Sequence, residues 1–187
     1  MEYRFQNVPE LLHCRAKDFG HKSFIRQAEN EHDLTYAELL DRSNRVAGLL
    51  DELGVKREER VAVLLPNSPE FASTVLGAQQ LGAVPGPINL LLKAHELEYI
   101  LNHQESKVLI TDSEFFPLLQ QIKDRLNHLE KIVELNSRYP HGLIVHPAKS
   151  EEIKAFYGIS QETVTDPPSK VFKPWAQNRH LGSNRPL

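Results

Sequence analysis

Apolar residues along this chain recur with helical spacing in some stretches and as short unbroken runs in others, and the two kinds alternate. Leu11, Leu12, Arg15, Ala16 and Phe19 put an apolar stripe on a first helix, with Asn7 as its cap, Pro9 in its first turn and Gly20 as its stop. Ser23 to Arg26 reads as a short strand, Glu29-Asn30 as a turn and Asp33-Leu34-Thr35 as a return strand. Thr35-Tyr36-Ala37-Glu38 then forms a capping box, because the threonine hydroxyl and the glutamate carboxylate each satisfy an orphan amide at a helix start. Tyr36, Leu39, Leu40, Val46, Ala47, Leu50 and Leu53 share one stripe of that helix, and Gly54 takes the left-handed conformation that ends it.

The run Arg60 to Leu65 is too apolar for a strand with one wet face, so it predicts a parallel strand covered on both sides and ended by Pro66. Ser68 as cap, Pro69 in the first turn and Glu70 near the positive end of the dipole start a helix that runs to about Leu81, where Gly82 stops it. Ala83-Val84 makes a brief strand. Pro85 and Pro87 lack the backbone donor, and the expectation is that the chain turns out of the sheet there. A short helix over Ala94 to Asn102, a buried strand over Lys107 to Thr111, a helix from Asp112 or Ser113 to about Leu126 and a strand over Lys131 to Leu135 complete the pattern. Such alternation predicts an α/β fold with mostly parallel strands.

After Leu135 the pattern weakens. Six of the twelve prolines fall in the last 52 residues. Leu143-Ile144-Val145 adds a strand, and Ser150-Glu151-Glu152 caps a short helix to Tyr157. Residues 163–187 hold too few apolar positions to offset the entropy of ordering. The expected organisation is an α/β layer over 1–135 and an irregular proline-rich tail over 136–187.

Charge follows the same division, with 15 basic and 21 acidic side chains in 1–135 against 7 and 4 in 136–187. An acidic domain without a lysine and arginine stripe does not release counterions from a polyphosphate, which argues against nucleic acid as a partner. The single cysteine, Cys14, forbids an internal disulfide and any cysteine-based zinc site, and it suits a reducing compartment. No apolar run approaches the roughly 20 residues of a membrane span, and the first residues do not read as a signal peptide. A cytoplasmic location is the expectation.

Candidate chemistry is sparse. Gly77-Ala78-Gln79-Gln80-Leu81-Gly82 has the glycine spacing of a P-loop, but Ala83 stands where lysine is needed, and the stretch lies late in a helix. Close helix packing and a helix stop account for it better. The nine histidines contain no H-E-x-x-H pair and read as surface residues, with His141 and His146 the nearest candidates for a pair. Cys14 reads as a small filler on a helix stripe, despite Arg15 and Lys17 nearby. Glu58-Glu59 and Glu151-Glu152 read as solvated charges at loops and helix starts. Leu90-Leu91-Leu92 is either a pocket wall or a buried contact with a neighbouring layer, the latter preferred.

The order and spacing of several segments nevertheless resemble a known family. Leu34 to Leu39, Arg45 to Leu50, Arg60 to Phe71, Leu81 to Asn89, and Glu96-Leu97 through to Val108 to Asp112 are together similar to the amino-terminal portion of the adenylate-forming enzymes, in their acyl-CoA synthetase branch. The likeness covers about residues 20 to 135. It implies, for the complete enzyme, that ATP and a carboxylate give an acyl-adenylate and pyrophosphate, and that the thiol of coenzyme A then displaces AMP. ATP, magnesium and coenzyme A are the cofactors it implies.

The family performs these steps with a T-S-G-T-T-G-x-P-K-G phosphate loop, a Y-G-x-T-E motif, a ribose-gripping aspartate and a lysine on a rotating domain, and none of these motifs occurs in the 187 residues. Where the family often continues Asn89 with proline and a basic residue, Leu90 and Leu91 stand here, with Lys93 as the nearest replacement. No catalytic, cofactor-binding or metal-binding residue is therefore carried over. The expectation is a truncated ligase-like protein, inactive alone and expecting no cofactor alone, that associates through uncovered apolar surface with itself or with a complementary ligase fragment. One half of a split ligase, and a non-catalytic interaction or ligand-binding module, are the alternatives.

Overall fold

The computed structural model describes residues 5–26, 33–135 and 143–148. Helix α1 (Val8–Phe19) starts at Asn7, whose side chain accepts from the Glu10 amide at 2.8 Å. Strands β1 (Ser23–Ile25) and β2 (Leu34–Thr35) pair antiparallel, as the sequence predicts; the expected turn at Glu29-Asn30 lies outside the described residues. Helix α2 (Tyr36–Glu52) opens on the complete capping box: Glu38 Oε2 accepts from the Thr35 amide at 2.9 Å, and Thr35 Oγ1 accepts from the Glu38 amide at 3.3 Å. The chain leaves it through Gly54 at φ 82°.

Strand β3 (Arg60–Leu64) is followed by helix α3 (Pro69–Leu81), strand β4 (Val84–Pro87), helix α4 (Ala94–Gln104), strand β5 (Val108–Asp112), helix α5 (Phe116–Gln120), and strands β6 (Lys131–Leu135) and β7 (Leu143–Pro147). The main sheet has the order β4-β3-β5-β6-β7, parallel except for β7, which runs antiparallel to β6. Strand β3 comes first in this sheet. The chain then adds β4 on one side of it and crosses back to add β5 on the other, which is a doubly wound arrangement.

Alternation along the strands divides the core between two faces. Val61, Val63, Leu65, Val108, Ile110 and Val133 pack under α2 and α3 with Val46, Leu50 and Ala78. Ala62, Leu64, Leu109 and Ile132 pack on the opposite side with Leu97 and Leu101 of α4 and with Phe116, Leu119, Ile122 and Leu126. A third, smaller cluster of Leu12, Leu34 and Leu39 fastens α1 and the β1-β2 hairpin to the outside of α2. The two-sided burial explains why β3 and β5 read as unbroken apolar runs.

Two expectations fail. The chain does not turn out of the sheet at Pro85: β4 pairs with β3 through both prolines, with Val61 opposite Pro85 and Val63 opposite Pro87. Pairing survives because β4 is an edge strand. The amides of Val84 and Ile88 donate inward to the Glu59 and Val63 carbonyls at 2.9 Å, and the alternating positions 85 and 87 face outward, where no donor is needed. The predicted helix over 112–126 is also broken, into a 3₁₀ turn at Ser113–Phe115, the five residues of α5 and a second 3₁₀ turn at Lys123–Arg125. Pro117 is admissible only in the first turn of a helix, so the helix restarts at Phe116, and Ile122 at φ −120° ends it. The expected helix at 150–157 and the tail from 163 lie outside the described residues.

Candidate functional site

Open sheets of this winding bind ligands beyond the carboxyl ends of their strands, at the point where the chain reverses direction across the sheet. Here that point lies between β3 and β5. The loops beyond it carry Asn67 and Ser68 after β3, Asn89 to Leu92 after β4, and Asp112 and Ser113 after β5. Three of these side chains cap local backbone amides. Ser68 Oγ accepts from the Phe71 amide at 3.2 Å to cap α3, Asp112 Oδ1 accepts from the Glu114 amide at 3.2 Å, and Asn89 Oδ1 accepts from the Leu91 amide at 3.0 Å. Just inside the rim, Thr111 of β5 and Glu134 of β6 are register neighbours, and both are buried.

The opposite end of the sheet holds a cleft of about 660 Å³, lined by Glu58, Glu59, Arg60, Glu105, Lys107 and Glu130 among others. Two of its carboxylates are paired with its two cations. Lys107 Nζ donates to Glu59 Oε1 at 2.6 Å, Glu59 Oε2 accepts from the Lys56 amide at 2.8 Å, and Arg60 pairs with Glu105 at 3.3 Å. The hydrogen bond from Lys107 holds the Glu59 carboxyl below its ordinary range, and Glu59 holds the lysine above its own. Both shifts favour the ionised forms, which suits a brace between the starts of β3 and β5. The reading of Glu59 as a merely solvated charge is thus corrected: its partner lies 48 residues away in sequence.

The remaining candidates fall as follows. Gly77 belongs to α3 and Gly82 follows its last residue, and a Cβ on Gly77 would come within 2.6 Å of Val46 Cβ and 2.8 Å of the Ser43 carbonyl oxygen, so Gly77 is where α2 and α3 approach closely. Gly82 ends the helix in the left-handed conformation at φ 82°. The P-loop spacing therefore reports helix packing and a helix stop.

Cys14 is half-buried, as a filler on the helix stripe would be. His21, His95, His103 and His128 are exposed, but His13 is half-buried with its Nε2 enclosed, a departure from the surface reading. His32, His141 and His180 lie outside the described residues, and of His146 only the backbone is described. Leu90 and Leu92 pack against the core beneath α4, while Leu91 is 88% exposed. Lys93 is exposed, and its backbone amide donates to Glu96 Oε2 at 2.8 Å. Among the described residues no three histidine, cysteine, aspartate or glutamate side chains gather as a metal site, and no helix is long and apolar enough to cross a membrane.

Comparison with known proteins matches residues 12–176 to the profile of the AMP-binding enzyme family. A long-chain-fatty-acid–CoA ligase of Thermus thermophilus is 32% identical over 142 residues, 75% of this chain and 26% of that protein. The long-chain-fatty-acid–CoA ligase FadD13 of Mycobacterium tuberculosis is 42% identical over 118 residues, 63% of this chain and 24% of that one. Among solved structures, the anthranilate CoA ligase AuaEII in complex with anthranoyl-AMP superposes with a TM-score of 0.66 at 31% identity, over 72% of this chain and 26% of that chain. The N-terminal domain of FACL13 from Mycobacterium tuberculosis superposes at 0.61 and 26% identity, over 78% of this chain and 45% of that domain. The chain spans about a quarter of the length of the curated relatives it matches. The doubly wound sheet is thus the architecture at the amino-terminal end of acyl-CoA ligases, and this chain belongs to the AMP-binding enzyme family.

Proposed function

We propose that this chain forms the first α/β layer of an acid–thiol ligase, acts as scaffold and docking surface for the segments that hold ATP, and does not form an acyl-adenylate by itself. In the complete enzyme the carboxylate would attack the α-phosphate of ATP, releasing pyrophosphate, and the thiol of coenzyme A would displace AMP. The observation that carries this reading is the place of the glycine pair. The described stretch closest in spacing to a phosphate loop is packed against Val46 and Ser43, while the likeness to acyl-CoA ligases extends over most of the chain. The carboxyl-end rim of Asn67, Ser68, Asn89 and Asp112 is the side on which we place the reactants.

Val84, Leu91 and Tyr99, exposed along β4, the loop after it and α4, favour a partner there, either a complementary ligase segment or a second copy. ATP–pyrophosphate exchange across a panel of fatty and aromatic acids tests the reading, with the chain alone and with the product of any adjacent reading frame. Silence alone and exchange with the partner is the expected result for a split ligase. Exchange by the chain alone overturns the proposal.

A further inference from the structure

Helix α1 is held to the rest of the fold by little apolar surface, since Leu12 is its one fully buried side chain among the described residues, while Val8 and Leu11 are exposed. Where α1 meets α2 and α3, His13 Nε2 of α1 is enclosed beside the amide of the fully buried Gln80 of α3, and Asn44 Oδ1 of α2 is enclosed on the same groove. Each of these enclosed polar groups gives up hydration when α1 is seated, which weakens the seat. A groove of about 570 Å³ runs between α1 and α2 beside His13 and Asn44, so the junction is open to solvent on one flank.

We propose that α1 is a latch operated by pH, seated on α2 and α3 while His13 is neutral and released when His13 takes up a proton. The other charged or titratable groups at the junction do not oppose this. On α1 they are Cys14 and Lys17, and the lysine adds a like charge. On α2 the groove is lined by Asp41, which is held by Arg45 at 2.9 Å. On α3 the facing residue is the uncharged Gln80, and Glu70 lies at the far end of that helix, paired with Arg42 at 3.4 Å.

Burial lowers the pKa of His13 from its ordinary 6.5, with the Gln80 amide pulling partly the other way. The released helix titrates at the ordinary value and the seated helix at a lower one. Seating is therefore fully stabilised above about 6.5 and loses ground as pH falls from there toward the lower value.

Cys14, the single cysteine of the chain, lies on the same helix and reports on the latch. The full chain is treated with 4,4′-dithiodipyridine at several pH values, and each rate is divided by that of the urea-unfolded chain at the same pH, which removes the titration of the thiol. Between about pH 7.5 and 5.5 the protection of Cys14 should fall, by at most about tenfold per pH unit. In His13→Gln it should stay level, and amide protection in β3 and β5 should persist throughout, since the release is local. Level protection in the wild type, an unchanged slope in His13→Gln, or loss of β3 and β5 protection together with Cys14 would each overturn the proposal. Should His13→Gln not fold, the His13 imidazole is titrated by NMR in the wild type. A midpoint below that of the unfolded chain supports the latch, and one at or above it sinks the idea.

Discussion

The two faces of the sheet are covered in different ways. On one, α2 and α3 are long helices that approach until Gly77 of α3 touches Val46 and the Ser43 carbonyl of α2, and the serines between them, Ser43 and Ser73, turn their hydroxyls back onto their own helices at 2.7 and 3.0 Å. On the other, α4 is joined by a broken run in which the five residues of α5 are bracketed by two 3₁₀ turns, and leucines and a phenylalanine fill what regular helices do not. The first face is specified by a shape that admits one arrangement. The second is specified by apolar volume, which tolerates irregular backbone provided the leucines reach the sheet.

That contrast can be broken most severely at Gly77. Gly77→Val places its side chain where Val46 already stands, so it should cost about 3 kcal/mol and lower the midpoint of thermal unfolding by several degrees. If the variant melts like the wild type, the close approach of α2 and α3 is not what defines their face. On the other face, Leu119→Ala empties a fully buried site in α5 and should cost about 2 kcal/mol, near the lower end for such truncations, because short irregular segments collapse into a cavity more readily than two locked helices. A loss as large as that of Gly77→Val, read from urea midpoints, would erase the distinction. The smallest effect has the opposite sign. Gly48 lies in α2 with nothing within 4 Å of where a Cβ would be, so Gly48→Ala should stabilise by about 0.7 kcal/mol through helix propensity alone. A destabilised Gly48→Ala would mean that α2 has a second close neighbour on that side.

Much of this architecture is legible from local chemistry. The Thr35-Glu38 box, the Ser68 cap, the glycines at 54 and 82, and the apolar runs of β3 and β5 each act within a few residues, and the structure places each as the spacing predicts. Apart from the helix broken at Pro117, whose cause is local, the failures share a cause. Whether Pro85 and Pro87 break a strand depends on whether that strand lies at an edge, and edges are fixed by the order of the whole sheet. The Glu59–Lys107 pair joins residues 48 apart, and the enclosed polar atoms of His13, Asn44 and Gln80 come from three different helices, so neither leaves a mark on a local pattern.

The rim where we place the reactants is marked only by caps and short polar side chains, Ser68, Asn89 and Asp112, which occur at many helix starts. A single sequence does not separate them from ordinary punctuation. Lys93 and Leu90 to Leu92 are legible as a departure from a family pattern, and the structure adds that two of the three leucines serve the core.

The outward-facing prolines of β4 also give the sheet a direction of growth. With the donors missing at positions 85 and 87, a further strand laid against that side meets carbonyls but too few amides to form a ladder, whether it comes from this chain or another. During synthesis, β3 and β4 emerge first as a pair already closed on one flank. Every later strand, β5, β6 and then β7, must therefore enrol on the other flank, and the register of the whole sheet is counted from a wall built into its first turn of winding.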